Sequence, residues 1–274
     1  MGKLLSAGIS RLKKNTVFLF GSVAMLIYGI VLPFSLHSDN IRYSHDASPD
    51  KAFGAYVIPV CLLTAFVCCV FCGEEYEGGI VRNKITVGHN RNSVYSAQFI
   101  SSLIAGITMS MAFLIPSTIL DMILLGDFEN SLGVLFMYFI SGLLCVSACT
   151  SLYCMLITAA QKRISGTALT LFVMLVIIYI GIIVSQTLIL PAETAQFPVI
   201  DGEVTMIYGE NPRYPKGAYR KFLEFFYDFL PSGQAWQFNT MTAENLPRMA
   251  ISSCIIMFLS FLSGVWLFRR KDLK

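Results

Sequence analysis

Six stretches of this chain, 16–36, 54–73, 95–120, 132–158, 166–190 and 249–268, contain no Asp, Glu, Lys or Arg. Each holds 20 to 27 residues, and about 20 apolar residues of helix cross a hydrocarbon core roughly 30 Å thick. Charged residues make up 14% of the 274, and 55% are apolar. Soluble domains carry about 25% charge, so this chain cannot coat a water-facing surface. Disorder is excluded too, because it needs low hydrophobicity and high net charge, whereas mean hydropathy is +0.65 and net charge only +3. The pattern predicts an all-α polytopic membrane protein, with six transmembrane helices in one domain over 1–274.

Lys and Arg accumulate in short cytoplasmic loops. Placing both termini inside puts Lys3, Arg11, Lys13, Lys14, Arg82, Lys84, Arg91, Lys162, Arg163, Arg269, Arg270, Lys271 and Lys274 on the cytoplasmic side. Among short outer loops only Arg42 and Lys51 remain. The first stretch is longer than the 7–15 residues of a signal-peptide core, so it is read as a span. The absence of any Asn-x-Ser/Thr sequon fits a bacterial plasma membrane.

All eight cysteines lie in the apolar stretches. Cys69 and Cys72 form a C-x-x-C pair, but no His or second pair near them completes four zinc ligands. They are read as small apolar packing residues, and neither a metal nor a disulfide is expected.

Ion-coupled carriers keep ionisable groups at membrane depth, where each costs at least about 2.5–3.5 kcal/mol. The charge-free stretches argue against that class. A membrane-embedded enzyme would need paired Asp or a Ser-His arrangement at depth, and these stretches hold neither Asp nor His. No Gly-x-x-x-x-Gly-Lys-Ser/Thr loop is present to bind nucleotide phosphates, so any energy input comes from another chain. The chain by itself is not expected to be an enzyme.

The link between the second and third spans runs Gly73-Glu74-Glu75-Tyr76-Glu77-Gly78-Gly79-Ile80-Val81-Arg82-Asn83-Lys84-Ile85-Thr86-Val87-Gly88-His89-Asn90-Arg91. It is longer than joining two spans requires. Its glycines bracket a short helix, with Gly88 placed as a C-terminal cap. At 100° per residue Ile80, Val81, Ile85 and Val87 share one face, expected to rest on the bundle, while Arg82, Asn83 and Thr86 face the cytosol.

The string Glu-Tyr-Glu-x-Gly-x-x-Arg-Asn-Lys followed by Gly-x-x-Arg, placed in the first cytoplasmic link of a six-span chain, resembles the type-2 permease family of bacterial ABC exporters. The likeness extends over the whole chain: a basic amphipathic lead, six spans, a long outer segment before the last span, and the tail Arg-Arg-Lys-Asp-Leu-Lys. It implies that 74–94 is a coupling segment docking on a separate ATPase, with Glu75, Tyr76, Glu77, Gly79, Arg82, Asn83 and Lys84 in that role. It also implies two ABC ATPase subunits as partners, which bind the ATP and Mg, and a second permease copy or paralogue.

The lead, 1–14, sets Leu4, Leu5, Ile9 and Leu12 among Lys3, Arg11, Lys13 and Lys14, as suits a helix lying among lipid headgroups. The resemblance makes it the connecting helix. The outer segment 191–247 holds Pro191, Pro198, Pro212, Pro215, Pro231 and Pro247 and is expected to be mostly irregular. Within it Ala218 to Leu230 reads as an amphipathic helix, stopped by Pro231-Ser232-Gly233. The uncharged span surfaces suit a hydrophobic or amphiphilic cargo, with no individual contact residue indicated and no nucleic-acid partner. The resulting expectation is a multi-pass permease subunit of an ATP-driven exporter in a bacterial cell membrane, moving a peptide, an antimicrobial or a lipid-like molecule outward. An ATP-independent channel, a sensor or a self-immunity protein is the alternative.

Overall fold

A computed structural model describes residues 1–43, 48–196, 199–200, 203–204 and 207–270. Pro198, Lys271 and Lys274 lie outside the described residues. The order is α1 (Gly2–Leu12), α2 (Thr16–Tyr43), α3 (Asp50–Phe53), α4 (Val57–Glu77), α5 (Ile80–Thr86), α6 (Arg91–Leu124), α7 (Leu132–Ala160), α8 (Arg163–Ile189), β1 (Glu193–Gln196), β2 (Val199–Ile200), β3 (Glu203–Val204), β4 (Ile207–Glu210), α9 (Gly217–Phe229), α10 (Pro231–Asn239) and α11 (Leu246–Arg270). Six of these helices are long and apolar enough to cross a membrane, as the charge-free stretches predict, and the chain is an all-α multi-pass membrane protein. Leu4 of α1, Val81 of α5 and Phe268 of α11 pack in one cluster, so α1, α5 and the last turn of α11 lie at one end of the bundle.

α4 is the central pillar. It packs against α2, α6, α7, α8 and α10, and 67% of its apolar window is buried, against 22% for α8. Helices in lipid gain little from hydrophobicity and associate through close packing, and α4 supplies it with a run of small residues, Thr64, Ala65, Cys68, Cys69, Cys72 and Gly73, all buried. The helices overrun the charge-free stretches at their ends. α6 continues to Leu124 and so takes in Asp121, which is buried and accepts a hydrogen bond from Ser117 Oγ at 2.9 Å.

The segment between α8 and α11 is more ordered than the sequence suggests. β1 pairs antiparallel with β4, and β2 with β3: Glu193 faces Glu210 and Val199 faces Val204. The amphipathic helix is present as α9, resting on α8 through Leu223, Tyr227 and Val184. Pro231, expected as a stop, also opens a new helix. Leu230 is extended and Pro231 takes the first position of α10, where a missing N–H costs nothing.

α10 turns back into the bundle. The Pro231 carbonyl accepts from Cys145 Sγ at 3.5 Å, and Ser232 Oγ donates to the Ile177 carbonyl at 2.8 Å; Cys145 and Ile177 sit near the middles of α7 and α8. A Cβ on Gly54 would overlap the Phe238 carbonyl, so only glycine lets α10 approach there. Gln234, fully buried, ties the insertion down. Its Nε2 donates to the carbonyls of Asp228 (2.8 Å) and Met249 (3.2 Å), and its Oε1 accepts from Ser253 Oγ at 2.6 Å. Among its described residues the segment between α8 and α11 therefore holds two antiparallel strand pairs and a helical pair, the second member of which is sunk among α4, α7 and α8.

Candidate functional site

The residues singled out in 74–94 meet at the end that carries α1 and the last turn of α11. α4 stops at Glu77, and Gly79, at φ 64°, turns the chain into α5. The C-terminus of α5 closes with Gly88 at φ 96°, its N–H donating to the Ile85 carbonyl (2.9 Å) while His89 N–H donates to the Lys84 carbonyl (3.2 Å). That paired closure is the Schellman arrangement, for which a left-handed glycine is favoured. Gly88 thus caps α5 where the sequence placed it.

One carboxylate organises the site. Glu75 is 1% exposed. Its Oε1 accepts from Arg11 on α1 and from Lys84 Nζ on α5 at 2.7 Å. The Arg11 guanidinium also lies over the Phe71 ring, 5.0 Å from its centre. A buried carboxylate is costly unless paired, and here the pairing draws α1 and α5 onto the end of α4. Tyr76 is part-buried as well: its hydroxyl donates to Thr158 Oγ1 at 3.0 Å, and its ring meets Phe268 edge-on.

The seven residues therefore divide. Glu75, Tyr76 and Lys84 are turned inward and hold helices together, leaving Glu77, Arg82 and Asn83 exposed, with Gly79 as the hinge between helices. The sequence signal could not separate these groups, because Glu75 and Glu77 are alike in type and differ only in which way α4 points them. The expected apolar face of α5 is corrected at one position. Val81 is buried against Val94, Tyr95 and Phe268, and Ile80 and Ile85 are partly covered, but Val87 is 79% exposed because it follows the last full turn and leaves the face. Exposed Val87 extends the outward surface of Arg82 and Asn83 with an apolar group.

The lead helix rests on α6 rather than standing free. Leu4 and Leu12 are buried, and the hydroxyl of Ser101 fills the gap left by Gly8. α11 is tied to the start of α6 in turn: Arg91 donates to the carbonyls of Phe268 and Arg269, and Arg269 Nε donates to Asn92 Oδ1 at 2.7 Å. α5 thus touches α4 and α6 directly and is linked to α1 through Glu75.

Nearer the opposite end, α4, α7, α8 and α10 enclose an apolar groove of about 290 Å³, with Ile58, Leu62, Tyr153, Met174 and Trp236 among its walls. Sequence reading indicated no cargo-contact residue, and α10 closes one side of the groove with Pro231, Ser232, Ala235 and Trp236. Its walls suit an alkyl or aromatic group. Where α9 meets α11, Asp228 accepts from Gln237 Nε2 at 3.2 Å and lies 3.5 Å from Arg248. Burial pushes the Asp228 carboxyl above its ordinary range, with Gln237 and Arg248 pulling the other way. No protein-family model and no curated protein matches the chain.

Proposed function

We propose that this chain is the transmembrane permease subunit of an ATP-driven ABC exporter in a bacterial cell membrane, with the end that carries α1 and α5 in the cytoplasm. It works with a second permease copy or paralogue and two ATPase subunits that bind the ATP and Mg. The observation that carries this reading is the rigid mounting of α5. A helix of seven residues is too short to hold its shape alone in water, yet here it is capped by Gly88, seated through Val81, and tied by Lys84 to Glu75. Its outward face presents Arg82, Asn83 and Val87, with Glu77 beside it. A mere connector needs no such clamp, whereas a surface that transmits force to the bundle does.

ATP-driven domain movement, applied at α5, passes through Glu75 to α4 and α1 together. α4 then carries it toward the groove, since Ile58, Cys61 and Leu62 lie on the same helix. The cargo is hydrophobic or amphiphilic, a peptide, an antimicrobial or a lipid-like molecule, in keeping with apolar groove walls.

The test is co-purification with the ATPase subunit and transport after substitution at 82. Truncating one partner of a desolvated charge pair costs about 2–5 kcal/mol, so Arg82→Glu weakens ATPase capture by roughly 30-fold or more while insertion and folding stay normal. Arg42→Glu, in an exposed position at the other end, leaves capture unchanged. Equal, wild-type-like capture and export in both variants would overturn the proposal.

A further inference from the structure

Three thiols far apart in the chain meet inside the bundle. Cys61 on α4 and Cys145 and Cys149 on α7 bring their Sγ atoms within 4.8 Å of one another, all buried. Cys145 and Cys149 are one helical turn apart and so share a face, against which α4 sets Cys61. No carboxylate or imidazole joins the group among the described residues. Cys61 and Cys149 also line the groove between α4, α7, α8 and α10, so the cluster has a route of entry.

The donor set selects its ion. Three sulfurs around one metal, at the usual bond length of about 2.3 Å, stand about 4 Å apart, so a contraction of under about 1 Å would form a trigonal site. Structural zinc takes four ligands, and three are offered here. Thiolate donors favour soft ions such as Cu(I). Charge points the same way, because uncompensated charge at membrane depth is expensive. Cu⁺ with one thiolate and two thiols is neutral, whereas a divalent ion needs two thiolates. The Cys145 thiol already donates to the Pro231 carbonyl, which suits it to stay protonated.

We propose that Cys61, Cys145 and Cys149 form an intramembrane site for a monovalent thiophilic cation, Cu(I), entered from the groove. Binding forms three S–Cu bonds, one to a thiolate whose S–H proton is released to solvent and two through lone pairs of thiols that keep their protons, with no change of oxidation state. The site extends the role of these cysteines beyond packing, and it stands apart from the transport reading, since it needs neither ATP nor a partner chain.

The full chain, purified in detergent without oxygen, is titrated with Cu(I) against the chromophoric chelator bathocuproine disulfonate. Wild type retains one Cu(I) per chain more than Cys61→Ser/Cys149→Ser, and releases one more proton. Cys254→Ser, on an exposed cysteine, keeps wild-type copper. Cys68→Ser keeps the extra ion too, although Cys68 and Cys154 form a separate pair with sulfurs 3.8 Å apart. Copper K-edge absorption of wild type needs no variant and shows three sulfur neighbours. Equal copper in wild type and the double variant, no copper retained by wild type, or two sulfur neighbours each overturn the assignment.

Discussion

At the end that carries α1 and α5 one buried carboxylate, Glu75, gathers Arg11 from α1 and Lys84 from α5. At the opposite end a single buried amide, Gln234, gathers the carbonyls of Asp228 and Met249 and the hydroxyl of Ser253. The two clamps do similar work by different chemistry. Arg11 remains 30% exposed and Lys84 16%, so the ionic clamp borders water and answers to nearby charge and salt. The amide clamp carries no net charge and is sealed. The difference assigns adjustable contacts to the end that bears α5 and fixed ones to the end that holds α10 in place.

The largest effect is expected at the carboxylate. Glu75→Gln strands two cations beside an apolar wall, and breaking a buried pair by removing one partner costs about 3–5 kcal/mol; partial exposure of Arg11 sets the loss at about 3 kcal/mol in a denaturant titration. Gln234→Leu follows, at about 2 kcal/mol, because the carbonyls and the Ser253 hydroxyl lose their partners. That loss should not change with ionic strength. If Gln234→Leu proved the more damaging and the more salt-sensitive, the contrast between the clamps would be reversed. Lys84→Met removes one of two cations from Glu75 and costs about 1 kcal/mol at low salt, shrinking as salt screens the pair.

The smallest effect concerns pH. Burial raises the Asp228 carboxyl above its ordinary range, so the folded protein binds a proton where the unfolded chain does not. Stability from this group is therefore greatest at acid pH and falls as pH rises from the ordinary aspartate pKa through the raised one. Asp228→Asn should flatten that slope in a thermal-unfolding series.

The six spans were readable because absence of charge over 20 residues is a local property that the bilayer enforces. The bracketing of α5 was equally local, since Gly79 and Gly88 mark left-handed turns on their own account. What escaped depends on partners distant in sequence. α10, reading Pro-Ser-Gly-Gln-Ala-Trp-Gln-Phe-Asn, has no hydropathy signal, and Gln234 becomes tolerable inside only when α11 supplies Met249 and Ser253. Pro231 carries the same residue-level message whether it ends one helix or begins the next. Glu75 looked like one acid among three until α1 and α5 were placed around it. Likewise the four-residue spacing of Cys145 and Cys149 sets them on one face of α7, but Cys61 has no such relation to them, and only α4 against α7 unites the three.

The central position of α4 also bears on how the chain is made. Its packing partners α7, α8 and α10 all lie later in sequence, so when α4 first enters the membrane its small-residue faces have only lipid and α2 to meet. Gln234 waits longer, because its carbonyl oxygen has no donor until Ser253 arrives on the last span, and α11 must also dock along α7, where Ser151 donates to the Met257 carbonyl at 3.0 Å. A nascent chain halted after α10 therefore carries an under-bonded amide in its core. Completion of α11 is the event that closes the bundle, and a chain lacking it would present cellular quality control with a polar defect at membrane depth.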